Sequence, residues 1–122
     1  MNQLYRDIDL KVSDSIASVT PMKLSNTQVT IHDGDFKVSL HGNTIMKTNR
    51  TDTTTTVTFS TCGWHTQTTR NRLNAALDGL HRLGYAKAVN GFKVKGGLIH
   101  AFINNEWQAM NEPLTIMETV LN

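Results

Sequence analysis

Between residues 27 and 61 apolar and polar side chains alternate with a period of two, and turn residues break the pattern at short intervals. That pattern limits the fold more than any other feature, because a period of two puts one face of a strand inward and cannot form the stripe of a helix. Val29 and Ile31 alternate with Thr30 and His32, and Asp33-Gly34-Asp35 then reads as a turn. Phe36, Val38 and Leu40 alternate with Lys37, Ser39 and His41, which completes a hairpin with one buried face. His41-Gly42-Asn43 marks a second turn, since Gly and Asn tolerate positive φ. The spacing predicts a third strand over 44–48, a turn over 49–52 and a fourth strand over 53–61 with Val57 and Phe59 inward. Thr53, Thr54, Thr55, Thr56 and Thr58 are β-branched and fit the exposed face of that strand.

After Trp64 the period changes. Leu73, Leu77, Leu80 and Gly84 fall on one helical stripe with Ala76 and Leu83 beside it, so the main helix is expected over about 66–83. Thr66 or Thr68 suits its N-cap and Gly84 its C-terminal turn. Strands then return. Tyr85–Val89 leads into Asn90-Gly91, a strong hairpin signal, after which Phe92 and Val94 alternate with Lys93 and Lys95. Gly96-Gly97 and Asn104-Asn105 separate two more strands, over 98–103 and 106–110. Leu114, Met117, Val120 and Leu121 have helical spacing behind Pro113, which predicts a short C-terminal helix. Residues 1–26 are the least regular: Leu4, Ile8 and Val12 have helical spacing, but Ser, Asp and Pro21 interrupt it. They read as an N-terminal arm or short helix, or as a strand that pairs with a partner subunit. The order of elements predicts an α+β fold, an antiparallel sheet of about six to eight short strands on one main helix, with 27–122 as a single domain.

Composition supports this and sets the compartment. The 122 residues suit one domain; 39% are hydrophobic and 18% charged, enough apolar material for a core and too little charge for a disordered tail. Threonine is in excess at 17, with 11 asparagines and only 2 prolines, a bias toward strands, caps and turns. No apolar run approaches the roughly 18 residues of a membrane span. The N-terminus has no signal pattern, so the expectation is an intracellular domain that keeps away from membranes. Cys62 is the only cysteine and so forms no internal disulfide, which fits a reducing compartment. It reads as a small buried residue; thiolate chemistry would need a base, and His65 lies three residues on.

The net charge of +2 is unevenly distributed. Residues 64–95 carry Arg70, Arg72, Arg82, Lys87, Lys93 and Lys95 against Asp78 alone, while 96–122 carry Glu106, Glu112 and Glu118 and no Lys or Arg. A basic middle between acidic ends suits either an anion-binding face or internal charge pairing. The densest segment is 60–74, STCGWHTQTTRNRLN. Arg70 and Arg72 sit where a helix begins, and Thr66, Thr68 and Thr69 add hydroxyls to free backbone N–H groups, a combination that favours phosphate or carboxylate. At ~100° per residue the two arginines flank the apolar stripe on opposite sides, which leaves Asn71, Arg72 and Arg82 as the better exposed set. The competing reading lays these arginines along the sheet, paired with Asp33, Asp35 or Asp52. Trp64 is either a staple between loop and core or an exposed surface for stacking a base. Lys93 and Lys95 either extend the basic patch or form a solvated strand face.

Signatures of enzymes are missing from the sequence. The five histidines have no metal-ligand spacing, no Gly-rich phosphate loop or nucleophile elbow occurs, and Asp33-Gly34-Asp35 is explained by a hairpin turn. No metal, cofactor or catalytic residue is therefore expected.

The stretch 40–77 resembles a group of small proteins encoded by tailed bacteriophages. The resemblance is carried by Gly42-Asn43 ahead of an apolar pair and by Gly63-Trp64-x-Thr66-x-Thr68-Thr69-Arg70-x-Arg72-Leu73-Asn74. It covers about a third of the chain and implies a phage origin and a host-cytoplasm setting, with no chemistry attached. The leading functional expectation is a non-enzymatic module that contacts nucleic acid through Trp64, Thr66, Thr68, Arg70, Arg72, Arg82, Lys93 and Lys95. Two alternatives stand beside it. One is an inhibitor of a host or defence protein that uses Trp107 among Glu106, Glu112 and Glu118; the other is a nucleotide or phosphate site at the helix start. The arm and the edge strands leave room for a homodimer.

Overall fold

The computed structural model describes residues 3–119, with side chains from Asp7 onward. Among these, the chain runs α1 (Gln3–Ala17), β1 (Met22–Leu24), β2 (Thr27–His32), β3 (Asp35–Leu40), β4 (Asn43–Arg50), β5 (Thr54–Phe59), α2 (Gln67–Arg82), β6 (Val89–Lys95), β7 (Leu98–Ile103), β8 (Glu106–Ala109) and β9 (Leu114–Thr119). The expected α+β class holds. The strands form two antiparallel sheets, one of six strands in the order β1-β2-β3-β4-β5-β9 and one of three in the order β6-β7-β8.

The alternation read over 27–61 sets the large sheet. Val29, Phe36, Val38, Leu40, Met46, Val57 and Phe59 are buried on its inner face. Two-residue turns join β2 to β3 and β3 to β4, and both residues of each have positive φ, at Asp33-Gly34 and at His41-Gly42. Gly96-Gly97 and Asn104-Asn105 make the same kind of turn in the small sheet. A bulge between Val38 and Ser39 on one side and Met46 and Thr44 on the other buries Ile45 as well as Met46.

Helix α2 occupies the predicted span. Thr66 is its N-cap, its Oγ1 accepting from the Thr69 N–H at 3.1 Å. At the other end Tyr85 N–H donates to Leu80 O and Gly84 N–H to His81 O, a Schellman closure that needs the positive φ of Gly84. The expectation of one main helix needs correction, because α1 is nearly as long as α2 and packs along it. Ile8, Val12 and Ile16 recur every four residues and are fully buried, while Asp9, Ser13 and Asp14, which break the sequence pattern, bond to residues of α2.

Two further expectations are overturned. The C-terminal segment is a strand: β9 pairs antiparallel with β5, Val57 opposite Ile116 and Phe59 opposite Leu114. Leu114 and Ile116 turn inward at a spacing of two, and Met117, which the helical reading placed on the core stripe, is 69% exposed. Val120 and Leu121, the rest of that stripe, lie outside the described residues. Asn90-Gly91 is not a hairpin turn but lies inside β6, where the register with β7 shifts between Val89 and Phe92. Residues 84–88 complete the turn out of α2, so no strand precedes the dipeptide for it to fold back on.

Both helices pack on the inner face of the large sheet, and the inner face of the small sheet closes the same core through Val89, Phe92, Ile99, Ala101 and Ile103. The rings of Phe59 and Phe92 meet across the two sheets, centroids 5.1 Å apart.

Candidate binding surfaces

The residues singled out at the start of α2 separate into three places. The first is the interface between the helices. Arg72 is fully buried, where the helical wheel had placed it on the exposed side; α1 covers that side. Its Nε donates to Thr27 Oγ1 at 2.9 Å and its Nη1 to Asp9 Oδ1 at 2.7 Å. Arg82 Nη1 donates to Asp14 Oδ1 at 2.7 Å and to Ser13 Oγ at 3.1 Å, and Ser13 Oγ donates to Asp78 at 2.6 Å. Arg70 donates to Gln67 Oε1. The internal pairing weighed for the arginines is therefore present, but with Asp9 and Asp14 of α1 in place of the hairpin acids. Burial pushes the Asp9 carboxyl above its ordinary range, and the charge and hydrogen bond of Arg72, with the charge of Arg70, pull it back only in part.

The second place is a cleft of about 520 Å³ where α2 begins. Leu40 and Ile45 give it an apolar floor, and Trp64, 61% exposed, stands beside it. Thr66, Thr68 and Thr69 line it from the helix, and Asn26, His41 and Asn43 from the turns of the large sheet. Trp64 is thus not packed into the core as a staple. Cys62 also lines the cleft and is exposed, contrary to the expected buried residue; its Sγ donates to Thr44 O at 3.1 Å. It sits at positive φ in the tight 61–64 turn, which swings its side chain outward. His65 does not reach toward it in a catalytic pairing: its Nδ1 accepts from the Ile99 N–H at 2.9 Å and fastens the start of α2 to β7. Among the described residues no lysine or arginine lines the cleft. It can hold an uncharged, ring-bearing group, whereas an anion would meet only the amide end of α2.

The third place is the outer face of the small sheet. Cross-strand register sets Lys93 opposite His100 and Phe102 opposite Trp107, all facing away from the core. The rings of Phe102 and Trp107 lie 4.9 Å apart, and Lys93 Nζ stands 4.1 Å from the indole centroid. Trp107 is 41% exposed, and Lys95 ends the same row in solvent. Glu106 pairs with Ile103 and points from the opposite side of β8. The acidic patch expected around Trp107 is not assembled, because Glu118 turns inward, where the Ala86 N–H donates to its Oε1 at 2.5 Å.

The placement of His100 and Phe102 beside Lys93 and Trp107 escaped the sequence reading. Alternation along 98–103 marks them as outward, but only the register with β6 and β8 gathers them with Lys93 and Trp107. Among the described residues no group of three or more His, Cys, Asp or Glu is placed to hold a metal ion, and no helix is long and apolar enough to cross a membrane.

A small two-sheet α+β protein with an uncharged cleft and a cationic aromatic face is the class these features define. Residues 5–112 match the family model described as Kyanoviridae Gp96 protein. The chain belongs to that phage protein family. No curated protein and no solved structure matches it.

Proposed function

We propose that this phage protein is a non-enzymatic binding module that takes single-stranded nucleic acid on the outer face of β6–β8. The observation that carries the reading is the grouping of Trp107, Phe102, Lys93 and Lys95 on one open face. An indole partly open to solvent offers a stacking surface to any base, and the two lysines supply charge for the backbone. A paired duplex covers the faces of its bases, so a stacking platform selects unpaired strands. Of the cations expected from sequence, Arg72 and Arg82 bond to α1, Arg70 bonds to Gln67, and Lys93 and Lys95 stand on the open face of the small sheet. The uncharged lining of the cleft weighs against a phosphate ligand at the start of α2. The inhibitor of a host protein draws its support from the phage family alone.

Fluorescence anisotropy of a labelled single-stranded oligonucleotide across a salt series tests this. Binding should weaken linearly in log–log form as salt rises. Trp107→Ala should cost about 1–3 kcal/mol of affinity, the value of one stacked base, and Trp64→Ala should leave affinity unchanged. No binding at low ionic strength, or a Trp107→Ala variant as tight as the parent, would rule the reading out.

A further inference from the structure

The four arginines whose side chains are described are held by internal partners: Arg50 by Tyr85, Arg70 by Gln67, Arg72 by Asp9 and Arg82 by Asp14. Among the described residues no lysine makes an ion pair, and Lys93 stands over the Trp107 ring. Lys37 and Lys47 lie directly opposite each other on β3 and β4, both exposed, and neither makes an ion pair with a described residue. Like charges set opposite across a sheet repel and destabilise it. Edge strands use lysine to block unwanted pairing, but β3 and β4 are the two central strands, where no edge needs protection. Hydroxyls flank the pair along the same cross-strand row, Thr30 before Lys37, then Thr58 and Thr115 after Lys47. Thr44, Ser60 and Pro113 complete a shallow depression of about 320 Å³ around the two ammonium groups, and no carboxylate lines it. The nearest acid along β3, Asp35, accepts from Thr48 Oγ1 and the Arg50 N–H. Both helices lie on the other face of the sheet, so the depression is open.

We infer that Lys37 and Lys47, with the hydroxyls of Thr44 and Thr58, form a second anion seat that takes backbone phosphates of a bound nucleic acid. Two ammonium groups concentrate positive potential where a phosphate is shared between them, and hydroxyl donors complete its hydrogen bonding without a competing carboxylate. The repulsion between the lysines is relieved when the anion is bound. This rests on the nucleic-acid reading above but on a different face and different residues.

The test compares the intact protein, Lys37→Ala/Lys47→Ala and Trp107→Ala in the same salt series with the labelled oligonucleotide. Loss of two phosphate contacts should lower the slope of log affinity against log salt by about two, equally for all oligonucleotide sequences, while Trp107→Ala weakens binding at an unchanged slope. Removing the like charges should also raise the melting temperature of the double variant. An unchanged slope in the double variant, with the parent still binding, overturns the seat and leaves the platform standing; no binding by the parent overturns both. A lowered melting temperature would make the lysines structural and also overturn it. Displacement of the oligonucleotide by inorganic phosphate beyond that by chloride of equal ionic strength would assign the seat to free phosphate, against the inference.

Discussion

A guanidinium held away from water needs a charge partner, and Asp9 meets that need for Arg72 inside the helix pair. Asp9 itself is only partly covered, yet desolvation still moves its carboxyl upward from 3.8. A carboxyl whose folded pKa lies above its unfolded value binds its proton more tightly in the native state. Its contribution to stability is therefore full below the unfolded pKa and is lost as pH rises through the raised one. Asp9→Asn should flatten that part of the stability profile, whatever it does to absolute stability. Urea unfolding from about pH 3 to 6 checks this, and a profile as steep as the parent's would refute it. The residue scale also shows what a sequence motif can hold. Within the stretch that carries the phage resemblance, Thr66 caps α2, Arg72 locks α1, and Asn74 exchanges two hydrogen bonds with the backbone of Phe92, at 2.9 and 3.0 Å. Those choices were legible as unusual, and each makes a bond within the fold. The threonines divide the same way: Thr54, Thr56 and Thr58 lie on the outer side of β5, but Thr55 is buried between Val57 and the sheet's end, contrary to the surface role expected for it.

At the scale of elements, hydrophobic period identified most strands and α2, and failed where two periods coexisted. Residues 114–119 satisfy both a helical spacing through Met117 and an alternation through Ile116; pairing with β5 decides for the strand, because it covers an edge the large sheet would otherwise expose. The close approach of α1 to α2 was not legible at all. A β-carbon added at Gly79 would sit 2.8 Å from Ile16 Cβ and 2.9 Å from the Ser13 carbonyl oxygen. An isolated helix would gain ~1 kcal/mol from Gly→Ala. Here Gly79→Ala should instead lower stability by about 1–3 kcal/mol through overpacking. Chemical denaturation of the variant checks this; a gain in stability would show that the helices do not pack this closely.

For the whole molecule, the question is what holds the two sheets together. Phe59 on Phe92 supplies the apolar contact, and Glu118 supplies the polar one, since β9 reaches from the large sheet to the turn that leads into the small sheet. The Ala86 N–H donates to one carboxylate oxygen and the Lys87 N–H, at 3.4 Å, to the other. Glu118→Ala leaves the buried Ala86 donor without its partner and should cost about 1–3 kcal/mol. Faster amide hydrogen exchange confined to β6–β8 would be its signature, and uniform or unchanged exchange would dismiss the role. Local patterning was enough to determine the α+β class, the run of hairpins from β2 to β5 and the span and caps of α2. Those follow from periodicity and turn chemistry, which are written in neighbouring residues. Only the tertiary structure decided which cations are free, where Trp64 and Trp107 open, and that α1 is a packed helix. Several of those depend on a partner far along the chain, as with Arg72 and Thr27, 45 apart, or Arg82 and Asp14, 68 apart. The long-range pairing of charge and the register of strands are set by packing, and no local pattern encodes them.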